Sequence, residues 1–154
     1  MCSLPTLQPR MGRDMGAMVE AGSAPEPGLC DLCTPTDVVL ENSLAYARTD
    51  SHGQSRGHVL VIPKRHVASF FSMSPEEQHA VLHLLVEAQR QTHSSLAPDG
   101  YNIGVNVGAA AGQSRMHVHV HLIPRYVGDV PSPAGGIRCV LPASGRTGSQ
   151  EPRT

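Results

Sequence analysis

Residues 116–125 read MHVHVHLIPR, with His117, His119 and His121 alternating with Val118, Val120 and Leu122. Strict alternation over this length is the period of a β-strand, whose successive side chains point to opposite faces. One face is apolar and packs; the other carries three imidazoles and faces a cleft or water. Residues two apart on a strand lie about 6.6 Å from one another, so His117 and His121 are separated by about 13 Å along the backbone. Three imidazoles spread over that distance on a regular strand do not all converge on one metal ion, and at least one is left for other chemistry.

Upstream, YNIGVNV (101–107) alternates in the same way and GAAAGQS (108–114) is a glycine-bounded loop between the two strands. Farther back, SMSPEEQHAVLHLLVEAQRQTHSSLAPDG (72–100) predicts a long helix. Ser74 is placed to cap it, Pro75 to take the first helical position and Glu77 to complete a capping box. Val81, Leu84, Leu85 and Ala88 form one apolar stripe, and Pro98, Asp99 and Gly100 stop the helix. DVVLE (37–41) and LAYAR (44–48) are short strands around a tight turn, DSHGQSRG (50–57) is a run of turn formers, and HVLVIP (58–63) has the β-branched composition of a buried strand. Strands, one long helix, then strands predict an α+β domain with a mainly antiparallel sheet.

The 154 residues suffice for one hydrophobic core. Residues 1–28 and 142–154 lack an apolar period and are expected to be loosely attached or flexible, which leaves 29–141 as the folded domain. A formal net charge of −1 provides no basic field for duplex nucleic acid or an anionic membrane. No apolar run approaches the roughly 20 residues of a membrane span, and MCSLPTLQPRMGRDMGAMVE (1–20) lacks the apolar stretch of a secretory leader, although Met11, Met15 and Met18 leave the start open. The cytoplasm is the expected compartment. Of four cysteines, Cys2 and Cys139 lie toward the ends, and Cys139 is expected to pack as a small apolar residue. Cys30 and Cys33 form a C-x-x-C pair that suits a metal or redox chemistry better than a disulfide framework.

The pattern His, apolar, His, apolar, His, apolar, apolar over His117 to Ile123 resembles the signature of the histidine-triad superfamily of nucleotide hydrolases and transferases. GHVLVIPKRHV (57–67), the helix, GVNVGAAAGQS (104–114) and HVHVHLIPRY (117–126) follow in the order that family uses. The resemblance implies a sheet of about five strands with one long helix and a short one, continued across a homodimer. It makes His119 the nucleophile toward the α-phosphorus of a purine nucleotide derivative, either a dinucleoside polyphosphate or an adenosine phosphoramidate. The other ring nitrogen of His119 would donate to the backbone carbonyl of His117. His121 assists the phosphate or the leaving group, and His58 is a fourth histidine supporting the triad. Asn106 and Gln113 would contact the phosphate, with Ser114 near the departing group. Asp50 would accept from the ribose hydroxyls, while Leu32 and Ser51 line the base pocket. Taken alone, the loop also reads as a plain glycine-rich turn, and Asp50 as a turn former.

Some branches of the family bind zinc through a Cys-x-x-Cys pair, a histidine after the IPK strand and the first triad histidine, which implies Cys30, Cys33, His66 and His117 here. Two thiolates and two imidazoles make the closed set of a structural zinc. Two other activities compete: a nucleotide-binding module that works by partner recognition, and a hydrolase using a zinc-bound water, which a closed set of four ligands opposes. His52, His79, His83 and His93 are expected at the surface.

Overall fold

The computed structural model of the protein describes residues 30–137; the two terminal segments expected to be loose, together with Cys2 and Cys139, lie outside them. Five strands, β1 (Val38–Glu41), β2 (Ala45–Thr49), β3 (Val59–Pro63), β4 (Gly100–Val105) and β5 (Val120–Arg125), accompany one helix, α1 (Pro75–Leu96). They form a single sheet in the order β1-β2-β3-β5-β4, with every neighbouring pair antiparallel. The short second helix expected from the resemblance is reduced to single 3₁₀ turns at Phe70–Ser72 and Ala109–Ala111.

Helix α1 starts where its local chemistry directs. The Ser74 hydroxyl accepts from Glu77 N–H at 3.2 Å, and the Glu77 carboxylate accepts from Ser74 N–H at 2.8 Å. Such a cap contributes about 1 kcal/mol. The same carboxylate takes two hydrogen bonds from Arg65, both 2.7 Å, which tie the helix start to the loop after β3 and hold the Glu77 carboxyl below its usual range. At the other end Ala97 adopts a left-handed conformation, φ 44°, that closes the last turn. Leu96 packs there against Gly57: a Cβ on that glycine would lie 2.4 Å from Leu96 Cδ1, and its φ of +84° is one that glycine accepts freely.

The sheet has two differently covered faces. Ala45 and Ala47 of β2, Val59 and Val61 of β3, and Val118, Val120 and Leu122 pack under Val81, Leu84, Leu85 and Ala88 of α1. On the reverse face Tyr46, Leu60 and Ile62 are covered by Leu32 and the adjoining Cys30. The Tyr46 hydroxyl fastens that cover by donating to the Leu32 carbonyl at 2.7 Å. With both faces covered, β3 is buried along its length, as its composition predicts.

The strand carrying the histidines differs from expectation in its start. Regular pairing begins at Val120, opposite Val61, so His117 and His119 lie on the approach to β5 and only His121 lies within it. The cause is Pro63 at the end of β3. Proline has no N–H to extend the ladder, and its carbonyl is occupied by the His117 ring, with Nε2 at 2.8 Å. The backbone N–H of Val118 turns instead to the carbonyl of Val67, 2.8 Å away. The alternation of faces survives: Val118, Val120 and Leu122 are buried toward α1. The histidine side is not an open face, since His117 is fully buried and His119 nearly so.

Candidate functional site

Two clusters grow from this short segment. In the first, Nε2 of His117 donates to the Pro63 carbonyl, so in the neutral ring Nδ1 keeps its lone pair. Burial pushes the His117 pKa down, which keeps the ring neutral. Nδ1 lies 3.5 Å from Cys30 Sγ and 3.6 Å from Cys33 Sγ, while His66 Nδ1 lies 3.2 Å from Cys33 Sγ. The donor atoms of Cys30, Cys33, His66 and His117 all fall within 4.8 Å of one another. Bond lengths of about 2.3 Å to sulfur and about 2.0–2.1 Å to nitrogen give tetrahedral edges of about 3.3–3.8 Å, close to the three sulfur–nitrogen separations just given, so the group could hold a metal ion of zinc's size. Burial, and then the neighbouring Cys30, push the Cys33 thiol up, a strain that a bound cation would relieve.

In the second cluster the roles of the ring nitrogens are exchanged. His119 Nδ1 lies 2.8 Å from the His117 carbonyl. A carbonyl only accepts, so Nδ1 carries the proton, and Nε2 bears the lone pair in the neutral ring. His119 lines a cavity of about 290 Å³ together with Asp31, Leu32, Arg48, Asp50, Ser51, His52, Leu60, Ser114, Arg115 and His121. Behind His121 runs a chain of hydrogen bonds. Gln54 N–H donates to His58 Nδ1 at 3.1 Å, which leaves Nε2 of the neutral His58 ring to donate to His121 Nδ1 at 3.0 Å. The proton of neutral His121 is then on Nε2. Asp50 Oδ2 lies 3.3 Å from His58 Nδ1 and favours the protonated ring, but burial outweighs it and lowers the His58 pKa. His121 is pushed down to about 4, first by burial and then by the neighbouring His119 and His58.

Of the residues singled out in the sequence, His119, His121, Asp50, Ser51, Leu32 and Ser114 line the cavity, and His58 stands behind it. Asn106 is exposed beyond the end of β4 and is not part of that lining. Gln113 is buried and engaged at both ends of its amide. Its Nε2 donates to the carbonyls of Ala68, 2.7 Å, and Arg115, 3.0 Å, and its Oε1 accepts from Gly108 N–H at 2.7 Å. It braces the glycine-bounded loop, with no amide hydrogen left over for a phosphate. His52 is exposed but belongs to the lining, and His79, His83 and His93 are exposed on α1.

Sequence reasoning missed three charged residues of the cavity. Arg48 shares the face of Tyr46 and Asp50 by the two-residue period of a strand, a signal that could have found it. Asp31 and Arg115, which pair at 3.0 Å across the cavity rim, are 84 positions apart and carried no local signal.

A family model, the HIT domain, matches residues 32–128. A 16.1 kDa HIT-like protein of Mycoplasma pneumoniae is 41% identical over 88 residues, which are 57% of this chain and 61% of that protein. An AP-4-A phosphorylase of Mycobacterium tuberculosis is 33% identical over 93 residues, 60% of this chain and 48% of that protein. The chain thus spans less than two thirds of the length of each of these relatives. Among solved structures, a zinc-bound histidine triad family protein from Mycobacterium smegmatis is 32% identical with a TM-score of 0.62, covering 68% of this chain and 80% of that one. Among the described residues no helix is long and apolar enough to cross a membrane.

Proposed function

Because this chain belongs to the HIT-domain family, we propose that it is a nucleotide-binding hydrolase or nucleotidyl transferase that cleaves at the α-phosphorus of a purine nucleotide derivative and releases a nucleoside monophosphate. The observation that carries this reading is the orientation of His119, with Nδ1–H tied to the His117 carbonyl and Nε2 left to a cavity that Asp50 and Ser114 also line. A neutral imidazole nitrogen is a competent nucleophile at neutral pH. Nε2 of His119 forms a bond to phosphorus while the bond to the leaving group breaks, and the leaving group departs with the bonding pair and takes its proton from solvent. The ring becomes cationic, and its Nδ1–H hydrogen bond to the carbonyl strengthens with that charge. Water then attacks phosphorus and loses a proton to solvent, the P–N bond breaks with its electron pair returning to Nε2, and the neutral ring and the monophosphate are left.

Within this scheme His121, with Nε2–H outward and His58 behind it, donates to the phosphate or the leaving group, and Asp50 accepts from the ribose hydroxyls. Ser114 is the side-chain donor of the loop, and Gln113 holds that loop in shape. Asn106, which is not among the lining residues, is the phosphate contact of this scheme that would need a side-chain rearrangement. Cys30, Cys33, His66 and His117 would hold a zinc ion, which supplies a closed crosslink and no open position for a water. A homodimer belongs to the same reading. It is supported by β4 lying at the sheet edge and by the exposure of Ile103 on β4 and of Leu82 and Val86 on α1.

The test is mass spectrometry of the intact protein, quenched with denaturant at alkaline pH, where a P–N bond survives, during steady-state turnover of an adenosine phosphoramidate. An adenylate adduct on the wild type that is missing from His119→Ala supports the scheme. Turnover of the wild type with no adduct at any quench time removes the covalent step. Binding of nucleotide with no turnover would leave a recognition module.

A further inference from the structure

The cavity contains a cation that the proposed reaction does not use. Arg48 on β2 stands opposite Leu60 on β3 and lines the same cavity as Asp50, two residues along the same face. The only side-chain hydrogen bond of Arg48 among the described residues runs from Nη1 to Thr36 Oγ1 at 3.3 Å, and its buried Nε has no partner. Arg65, Arg115 and Arg125, by contrast, each hold a carboxylate. A guanidinium with most of its donors uncommitted thus lines, beside the apolar Leu32 and Leu60, a cavity of about 290 Å³, ample for a nucleoside base.

We infer that Arg48 reads the base, and that it selects 6-oxopurines, guanine and hypoxanthine, over adenine. The inference rests on the nucleotide reading above and extends it to the base. With the ribose at Asp50, the base extends toward a side chain about 6.6 Å farther along the strand face, the repeat that separates Arg48 from Asp50. A 6-oxopurine presents O6 and N7, two adjacent acceptors, which match the paired N–H groups of a guanidinium. Adenine presents N7 beside the N6 amine, so one arginine donor would meet another donor. The leucines supply the apolar contact that either ring needs.

Titration calorimetry with GMP, IMP and AMP tests this. Wild type is expected to bind GMP and IMP about tenfold more tightly than AMP, in the range that one bidentate pair provides. Arg48→Met, which keeps the apolar stem, is expected to bring the three affinities within about twofold of one another. Arg48→Lys keeps the charge but lacks the fork, and is expected to lose most of the preference; it serves if the methionine variant fails to fold. Equal affinities in the wild type, tighter AMP, or a preference that persists in a folded variant would overturn the role of Arg48 while leaving a nucleotide site in place. Binding of none of the three, together with no adenylate adduct, would overturn the nucleotide reading and Arg48 with it.

Discussion

His117 and His119 stand two residues apart, and each gives one ring nitrogen to a backbone carbonyl, but they give opposite ones. His117 commits Nε2 to Pro63 and presents Nδ1 to two sulfurs; His119 commits Nδ1 to His117 and presents Nε2 to a cavity. The chemistry open to a histidine is thus set by the hydrogen bond on its far side. One carbonyl buries an imidazole among thiols as a candidate ligand. The other carbonyl, that of His117 itself, turns an imidazole outward as a candidate nucleophile.

Removing the outward half should have the largest effect. His119→Ala takes away the only Nε2 that is both oriented by a carbonyl and aimed into the cavity, so turnover of an adenosine phosphoramidate should fall by about a thousandfold or more. Nucleotide affinity, measured by calorimetry, should change little. Ordinary turnover by the variant would show that the outward nitrogen is not the reacting one.

The inward half should show itself in stability. Cys30→Ser combined with Cys33→Ser removes two of the four donors of the proposed metal site, and should remove with them the metal and the crosslink it would make between the 30–33 segment and the sheet. Loss of a few kcal/mol should lower Tm by about 10 °C or more. Metal analysis and a thermal melt of the same preparation check both consequences. Metal content equal to wild type would refute the clip.

Why some of this was legible in the sequence and some was not follows from the range of the interactions. The helix start could be read from Ser74, Pro75 and Glu77, because a cap is made by residues within one turn. The two faces of the histidine segment could be read from period two, and Val118, Val120 and Leu122 are buried toward α1 as that period requires. The start of β5 at Val120 could not, because it depends on Pro63, 57 positions upstream of it and brought alongside only by the sheet. The same distance in sequence hid which nitrogen His117 presents, since its partner carbonyl is that of Pro63. The resemblance implies a phosphate contact for Gln113, but its partner Ala68 lies on the far side of the helix in sequence, and the amide is consumed in bracing. Arg48 was readable from the strand period. Its place in the cavity also depends on Leu32 covering the sheet.

Protonation offers a finer probe of the outward half. His121 is held down to about 4 by burial and by His119 and His58, against about 6.5 for an unfolded histidine. Between those values the unfolded chain binds a proton that the folded one refuses, so this contribution to stability is intact above about pH 6.5 and declines as pH falls toward 4. Melts from pH 7.5 to 4.5 should therefore show a steeper acid loss in wild type than in His121→Asn. Parallel curves would mean that His121 accepts its proton in the folded state as readily as in the unfolded one.

The smallest effect is expected where the two halves are joined at the surface. Arg115 Nε lies 3.0 Å from Asp31 Oδ1, linking the turn between the two cysteines to the residue two positions before His117. Both side chains are more than half exposed, at 56% and 54%. Water and salt screen such a pair, and the charges must hold long side chains in place, so it contributes only about 0.2–1 kcal/mol. A double-mutant cycle of Arg115→Ala and Asp31→Ala, read by denaturant unfolding, should give a coupling in that range that shrinks at high salt. A coupling well above it would mean that the rim pair, and not the buried thiols alone, holds the 30–33 segment against the sheet. The inward histidine would then depend for its surroundings on the same surface that borders the outward one.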